Sequence, residues 1–423
     1  MIGTMVVSML GFMFAGIPIG IAIALAGLTG LIFFTELPML VLAQQFFISL
    51  DSFAYIAIPL FILAGNLMSA GGVSQRLLDF AISLVQNLKG GLAATCVLAC
   101  MIFAAVSGSS VATTFAIGAI LIPAMVKQGY PVGFAAALQA SSAELGVIIP
   151  PSIPLLLYGM STGTSIGGLF LAGIGPGILI AATLLLLVIV TSWRKGFAPV
   201  DPSMRKGILK SAGSAVLALL MPILIIGGIY GGFTTPTEAS VLAVVYALFL
   251  GVFVYRELTG SALILVLKKT LVSSSFIMFT IGAAGFFSFI LEYSGAMAQI
   301  GAYMSTSFSE PWVFLIAVNL MLLVIGMFVD PAVAILILAP LLQPVAQSLG
   351  IDPVHFGIIM VVNLAIGMFT PPVGVNLFAV CSIARVPLER VAPSLVPFVL
   401  AVIGALALIT YIPAISLFPI WLF

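Results

Sequence analysis

Long apolar stretches, interrupted by short polar or glycine–proline marks, make up almost all of this chain. A helix needs about 20 apolar residues to cross hydrocarbon. On that criterion spans are expected near 2–15, 18–34, 54–70, 133–160, 168–193, 211–231, 237–255, 272–291, 355–382 and 392–420. Two further stretches, 90–128 and 311–349, each read as a helix, a tip and a returning helix. Their tips are Ser107-Gly108-Ser109-Ser110 and Val329-Asp330-Pro331. A re-entrant hairpin and two full spans fit the pattern equally, and in both cases the pair enters and leaves on one face. Segments 36–53, 71–88, 257–271 and 294–309 are weakly amphipathic connectors that fit helices lying along a membrane surface or apolar loops. A transmembrane barrel would need segments of about 10 alternating residues, and the apolar stretches here are continuous.

Composition narrows the class. Of 423 residues, 63% are hydrophobic and 6% charged, against about 25% charged in ordinary soluble domains. Thirteen basic and twelve acidic residues cannot coat a soluble protein of this size. A soluble enzyme, a nucleic-acid binder and a disordered chain are excluded, and a polytopic all-α membrane protein remains. The first 34 residues carry no Lys or Arg, so the start reads as permanent membrane helix rather than a secretory signal. Cys96, Cys100 and Cys381 are odd in number and lie in apolar segments, which fits small buried hydrophobes and no disulfide framework.

The basic residues set the orientation. With these spans Arg76, Lys89, Lys127, Arg194, Lys195, Arg205, Lys206, Lys210, Arg256, Lys268, Lys269, Arg385 and Arg390 all fall on one face. The positive-inside rule makes it cytoplasmic. Glu36, Asp51, Glu292, Glu310 and Asp352 then lie at the opposite face, together with both termini.

The two halves resemble each other at a constant offset of 221 residues. Leu121 matches Leu342, Pro123 Pro344, Gly129 Gly350, Gly146 Gly367, Pro150-Pro151 Pro371-Pro372 and Ser161 Ser382. Each half crosses an odd number of times, so the halves are oppositely oriented. The expected organisation is a first repeat over 1–193 (hairpin 90–128, broken span 133–160), a cytoplasmic linker over 194–210 and a second repeat over 211–423 (hairpin 311–349, broken span 355–382). Inverted repeats with broken helices mark secondary transporters, whose sites lie near the bilayer midplane.

Both halves carry a glycine followed by a proline pair, Gly-Val-Ile-Ile-Pro-Pro at 146–151 and Gly-Met-Phe-Thr-Pro-Pro at 367–372. Proline removes a donor, clashes with the preceding turn and biases its predecessor away from helix. The freed carbonyls need a partner, because hydrocarbon offers none. A Na⁺ ion can serve, and so can neighbouring groups around a plain kink. Ser107, Ser109 and Ser110 at the first tip offer hydroxyls for a carboxylate or sodium; Thr113 and Thr114 fit small-residue helix packing. Asp330 is a functional candidate because a carboxylate in the membrane is expensive, and it also suits the N-cap of a helix starting at Pro331. Asn363 and Asn376 flank the second break and can bond a ligand or loosened backbone. Ser109, Asp330, Asn363 and Asn376 are the substrate-contact candidates. Glu144 reads as a protonatable coupling group or a carboxyl bonded to a serine such as Ser141. Glu238, in Thr234-Thr235-Pro236-Thr237-Glu238, reads as a helix start. His355, the single histidine, reads as an interfacial capping residue. One histidine and scattered acids build no zinc site.

Rival classes fare less well. An intramembrane serine protease needs a base beside its serine, and His355 sits at the outer edge. An aspartyl protease needs two facing carboxylates. No phosphate-binding Gly-x-x-x-x-Gly-Lys motif occurs, so no ATP hydrolysis is expected. A passive channel would not need two differently decorated hairpins.

Five strings carry a resemblance: Ser-Gly-Ser-Ser-Val-Ala-Thr (107–113), Leu-Gly-Val-Ile-Ile-Pro-Pro-Ser-Ile-Pro (145–154), Gly-Gly-Phe-Thr-Thr-Pro-Thr-Glu-Ala (231–239), Gly-Ile-Asp-Pro-Val-His-Phe-Gly (350–357) and Gly-Met-Phe-Thr-Pro-Pro-Val-Gly-Val-Asn (367–376). Nearly the whole chain resembles the large membrane subunit of TRAP (tripartite ATP-independent periplasmic) transporters. The resemblance implies a multi-pass secondary importer of the bacterial inner membrane, driven by sodium and moving by an elevator-like motion. It implies a small four-helix membrane subunit and a periplasmic substrate-binding protein as partners, with a small organic anion as substrate: a C4-dicarboxylate first, sialic acid second. Carried over residue by residue, it puts one sodium site on oxygens around Ser107, Ser110, Gly146, Ile149 and Pro151. A second would use Gly326, Gly367 and Thr370. Glu144 departs from the small or neutral residue that many members carry there.

Overall fold

The computed structural model describes residues 1–295 and 310–421; of the expected connector 294–309, residues 296–309 lie outside the described residues. Every regular element among the described residues is helical. In chain order they are α1 (Ile2–Phe14), α2 (Ile19–Phe34), α3 (Leu40–Ile48), α4 (Ala57–Ala70), α5 (Val73–Val85), α6 (Gly91–Ser107), α7 (Ser110–Lys127), α8 (Val132–Ala143), α9 (Leu145–Ile148) and α10 (Ile153–Thr162). Then follow α11 (Ile166–Lys195), α12 (Ile208–Tyr230), α13 (Pro236–Phe249), α14 (Gly260–Tyr293), α15 (Pro311–Gly326), α16 (Pro331–Ser348), α17 (Pro353–Met368), α18 (Val375–Ala384), α19 (Leu388–Tyr411) and α20 (Ala414–Trp421). Eight described helices are long and apolar enough to cross a membrane, and α8–α9 with α10 form one bent pair, turning by 40°.

Both hairpins are present. Helix α6 ends at Gly108, whose φ of +63° reverses the chain, and Ser109 caps α7 through the Ala112 amide. Helix α15 ends at Gly326, and Asp330 caps α16 through the Ala332 amide at 2.9 Å. Both proline pairs interrupt their helices, and the Pro150-Pro151 and Pro371-Pro372 bonds are both cis. The packing crosses between the halves. The returning helix of the first hairpin, α7, lies on α18 beyond the second break, and α10, beyond the first break, lies on α16. Helices α2 and α4 pack on α14, and α4 also on α13.

Two expected boundaries change. The connector 257–271 and the span 272–291 are one 34-residue helix, α14, started by the Thr259 side chain on the Ala262 amide. No proline or glycine interrupts 261–281, so Lys268-Lys269 mark no end. At 1.5 Å per residue α14 is about 51 Å long, well beyond the roughly 30 Å of hydrocarbon. Conversely, the expected span 392–420 breaks at Ile412-Pro413, between α19 and α20.

The connector 71–88 contains the amphipathic α5, with Leu77, Leu78, Ala81 and Ile82 buried, whereas 36–53 holds the short α3 with no buried residue. The basic face is tied together around α5. Gln86 exchanges two hydrogen bonds with the Lys206 backbone, at 3.0 and 2.9 Å. Lys206 pairs with Asp79 at 3.2 Å and Arg76 with Glu257 at 2.7 Å. In the linker, Ser203 donates from its hydroxyl and its amide to Asp201, holding that exposed carboxyl below its ordinary range.

Candidate functional site

The first tip is small because backbone lies against it. A Cβ at Gly108 would stand 2.5 Å from the Pro151 carbonyl oxygen, and one at Gly146 would stand 2.7 Å from the Ser109 oxygen. The hydroxyls of Ser107 and Thr113 are 3.0 Å apart, and Thr113 Oγ1 donates to the Ser109 carbonyl at 2.8 Å. Ser107, Ser110, Gly146 and Pro151 are thereby gathered where the tip meets the first break. Thr113 lies with this group, and it also packs against Gly146 as a small helix residue. Ile149 is extended at the end of α9, and its side chain lies over Gly177 of α11. The break partly satisfies itself, because Ser152 Oγ donates to the Val147 carbonyl.

The second tip and break meet through bare backbone. A Cβ at Gly367 would stand 2.2 Å from the Gly326 carbonyl carbon. Gly374, past the proline pair, donates from its amide to the Met327 carbonyl at 3.2 Å. Thr370 Oγ1 donates to the Ile366 carbonyl at 2.6 Å, which leaves that oxygen's lone pairs available. The two tips also approach each other. Ser110 Oγ donates to Met368 Sδ at 3.4 Å, and Ser109, Ser110, Asp330 and Met368 share a cavity of about 100 Å³.

A cavity of about 600 Å³ opens from this junction, lined by Ser107, Ser109 and Asp330 with Asn66 of α4 and Lys269 and Ser273 of α14. A neighbouring space of about 490 Å³ shares Asn66, Ala112, Phe115 and Lys269 and continues to Gly72 and Gln75, beside Arg76 on the basic face. Asn66 Nδ2 donates to Thr270 Oγ1 at 3.0 Å, linking α4 to α14. A larger cavity of about 890 Å³ lies among the loops of the opposite face and has no charged lining residue, so the tip cavity, which carries Asp330 and Lys269 on an otherwise largely apolar wall, is the better candidate.

Of the four substrate-contact candidates, Ser109 and Asp330 share the tip cavity. Asp330 is the N-cap of α16 and also lines the cavity. Asn363 and Asn376 lie elsewhere. Asn363 donates to Asn319 of α15 at 2.6 Å, and Asn319 donates to Thr410 of α19 at 3.1 Å. Asn376 donates to Glu144, whereas Ser141 donates to the Leu138 carbonyl, so the partner of Glu144 is the amide and not that serine. His355 is buried at 3% exposure, with Nε2 3.2 Å from the Thr410 carbonyl. The cap of α17 is Asp352, which accepts from the Val354 and His355 amides. Glu238 is the helix start expected, in a reciprocal pair with Thr235, whose amide and hydroxyl donate to the Glu238 carboxylate at 2.7 and 2.9 Å.

The donor chemistry decides what ion would fit. Among the described residues no group of three or more His, Cys, Asp or Glu side chains is placed to hold a metal. What the tips and breaks offer is hydroxyl and carbonyl oxygen, suited to a hard alkali cation and unsuited to zinc.

The model of the family described as "Tripartite ATP-independent periplasmic transporter, DctM component" matches residues 6–415. The chain belongs to this family. The chain is 40% identical over 427 residues to the C4-dicarboxylate TRAP transporter large permease protein DctM of Rhodobacter capsulatus, covering 97% of this chain and 96% of that protein. It is 36% identical over 408 residues to the sialic acid TRAP transporter large permease protein SiaM of Vibrio cholerae, covering 96% of each. In fold it resembles the crystal structure of the Alcanivorax borkumensis YdaH transporter, with a TM-score of 0.64 at 19% identity over 87% of this chain and 86% of that one. The chain is a multi-pass protein of the bacterial inner membrane and a transport permease, which answers the enzyme alternative.

Proposed function

We propose that this chain is the large membrane subunit of a sodium-coupled, binding-protein-dependent importer of a small organic anion such as a C4-dicarboxylate. The observation that carries the reading is the meeting of two capped hairpin tips, Ser109 and Asp330, on one cavity with an interrupted helix behind each. Unwound backbone beside a cavity is where a membrane transporter can hold an ion. On this reading Na⁺ is cargo. One ion is held by oxygens around Ser107, Ser110, Gly146, Ile149 and Pro151, and another by those of Gly326, Gly367 and Thr370. Ser109 and Asp330 face the substrate. The halves 1–193 and 211–423 act as inverted repeats joined by 194–210, and the part holding both hairpins moves against the rest as an elevator. A small four-helix membrane subunit and a periplasmic binding protein complete the machine. Dicarboxylate ranks first, supported by the 40% identity to the Rhodobacter permease; sialic acid is the alternative substrate, supported by the Vibrio relative.

The test is uptake into proteoliposomes holding this chain and its small partner, with binding protein outside and sodium varied. Succinate uptake that needs inward sodium and all three components is the expected result. Sodium-independent flux down the anion gradient would replace the reading with a channel. Thr370→Ala removes one side-chain oxygen, and the sodium concentration for half-maximal uptake is expected to rise roughly tenfold, the equivalent of about 1.4 kcal/mol. Unchanged sodium activation would remove Thr370 from the site.

Asp330 separates by substitution into its two roles. Asp330→Asn keeps an acceptor for the Ala332 amide and is expected to melt within a degree or two of the parent, whereas Asp330→Ala loses a cap worth about 0.5–2 kcal/mol. Both are expected to change the succinate dependence of uptake, because both remove the charge from the cavity. Equal melting temperatures in thermal unfolding of the two variants would refute the capping half of this expectation.

A further inference from the structure

The continuity of α14 places a cation where the segment boundaries expected from sequence would have put only a loop end. Lys269, Ser273 and Ile277 stand one turn apart on one face of α14, and all three line the 600 Å³ cavity. Ile277 also borders the small space between the tips, beside Asp330. Lys269 lies eight residues from Ile277, about 12 Å along the helix axis toward the basic face. That rise is longer than the spacing of the two carboxyl groups of a four-carbon diacid, which sets the Lys269 end of the cavity apart from its tip end.

Lys269 also borders the second space leading to Gln75 and Gly72. Asp330 and Lys269 are the charged residues on the walls of the two spaces, Asp330 at the tip end and Lys269 where the two spaces join. Two other cations of that face, Arg76 and Lys206, are held by Glu257 and Asp79, whereas Lys269 forms no ion pair among the described residues. Around it stand neutral polar groups, the Asn66 amide and the Ser273 hydroxyl. A cation in a cleft with low-dielectric walls concentrates anions there.

We propose that Lys269 forms a second anion station between the tips and the cytoplasm, where a small carboxylate rests on its way out. The inference builds on the reading that the tip cavity carries an organic anion. A carboxylate leaving the tips moves away from the negative charge of Asp330 and toward the ammonium of Lys269. Asn66 and Ser273 can donate to its oxygens, and Gln75 marks the mouth. The station gives the anion a stop with an open side toward water. It also means that anion accumulating inside refills the vestibule and slows the next cycle.

The experiment uses the complete transporter in proteoliposomes, with binding protein outside and succinate loaded inside at rising concentration. The quantity read is the internal concentration that halves inward uptake. Lys269→Gln is expected to raise it roughly fivefold, the affinity equivalent of a half-exposed ion pair of about 1 kcal/mol. Lys269→Glu should raise it further and Lys269→Arg leave it near the parent value, so that the order follows charge. Lys268→Gln, one residue away and off the cavity wall, should leave it unchanged. Inhibition curves of Lys269→Gln and Lys269→Glu that superimpose on the parent would overturn the station. A shift of equal size in Lys268→Gln would overturn it too, by reducing the effect to surface charge. Parent vesicles that take up no carboxylate at all would overturn the carboxylate reading itself, a result seen before any variant is made.

Discussion

Gly367→Ala is expected to reduce uptake to the level of vesicles without the permease and to lower the melting temperature of the purified protein by several degrees. The added Cβ would lie 2.2 Å from the Gly326 carbonyl carbon and 2.5 Å from its Cα and oxygen, where ordinary carbon contacts are about 3.5–4.0 Å. All three atoms are backbone, so no rotamer relieves the overlap. The second tip must move away from the second break. Ordinary overpacking costs about 1–3 kcal/mol, and this contact stands at or above the upper end. Gly404→Ala is the control: a Cβ there meets nothing within 4 Å, and replacing glycine inside an exposed stretch of helix is worth about 1 kcal/mol in the favourable direction. Wild-type uptake by Gly367→Ala would show that the close approach of α15 and α17 is not needed for transport.

Gly108→Ala carries a conformational and a steric cost together. The residue has φ +63°, and its Cβ would stand 2.5 Å from the Pro151 oxygen. The left-handed conformation costs an ordinary residue about 1–2 kcal/mol; the clash adds to that and pushes the tip off the first break. Uptake is expected to fall roughly tenfold or more, with sodium activation shifted to higher concentration because Pro151 is among the proposed oxygen donors. Gly163→Ala separates the two effects. Gly163 has φ +70° with nothing within 4 Å, so it bears the conformational cost alone. If the two alanine variants lose uptake equally, the tip contact contributes nothing and the first sodium site must be placed elsewhere.

Some of the site was legible because its signals are local. Proline pairs announce broken helices by removing donors, and Ser109 and Asp330 announce caps by their position before a helix. Thr235 with Glu238 is a reciprocal cap readable from four letters. Local signals also misled. The connector expected over 257–271 has no end at its bound, because a helix ends where its hydrogen bonds or dihedrals fail, and nothing between Gly260 and Tyr293 makes them fail. The proline at 413 was read through, and there the helix does stop. Asn363 and Asn376 stood near the second break in sequence, but an amide reaches whatever faces it, and their partners come from α15 and from the other broken span. Lys269 and Asn66 could not be recognised as wall residues at all, because nothing along the chain says that α4 and α14 face the first tip.

What the chain determines by itself is its solvent and its punctuation: hydrocarbon penalises charge and unpaired backbone so heavily that spans, tips, breaks and a single basic face are written into residue order. Which tip meets which break was settled only in three dimensions. The contacts that decide it, Gly326 on Gly367, Gly108 under Pro151, α7 on α18 and α10 on α16, are approaches of atoms distant in sequence, and a glycine that must admit another backbone looks the same, letter for letter, as one that merely turns.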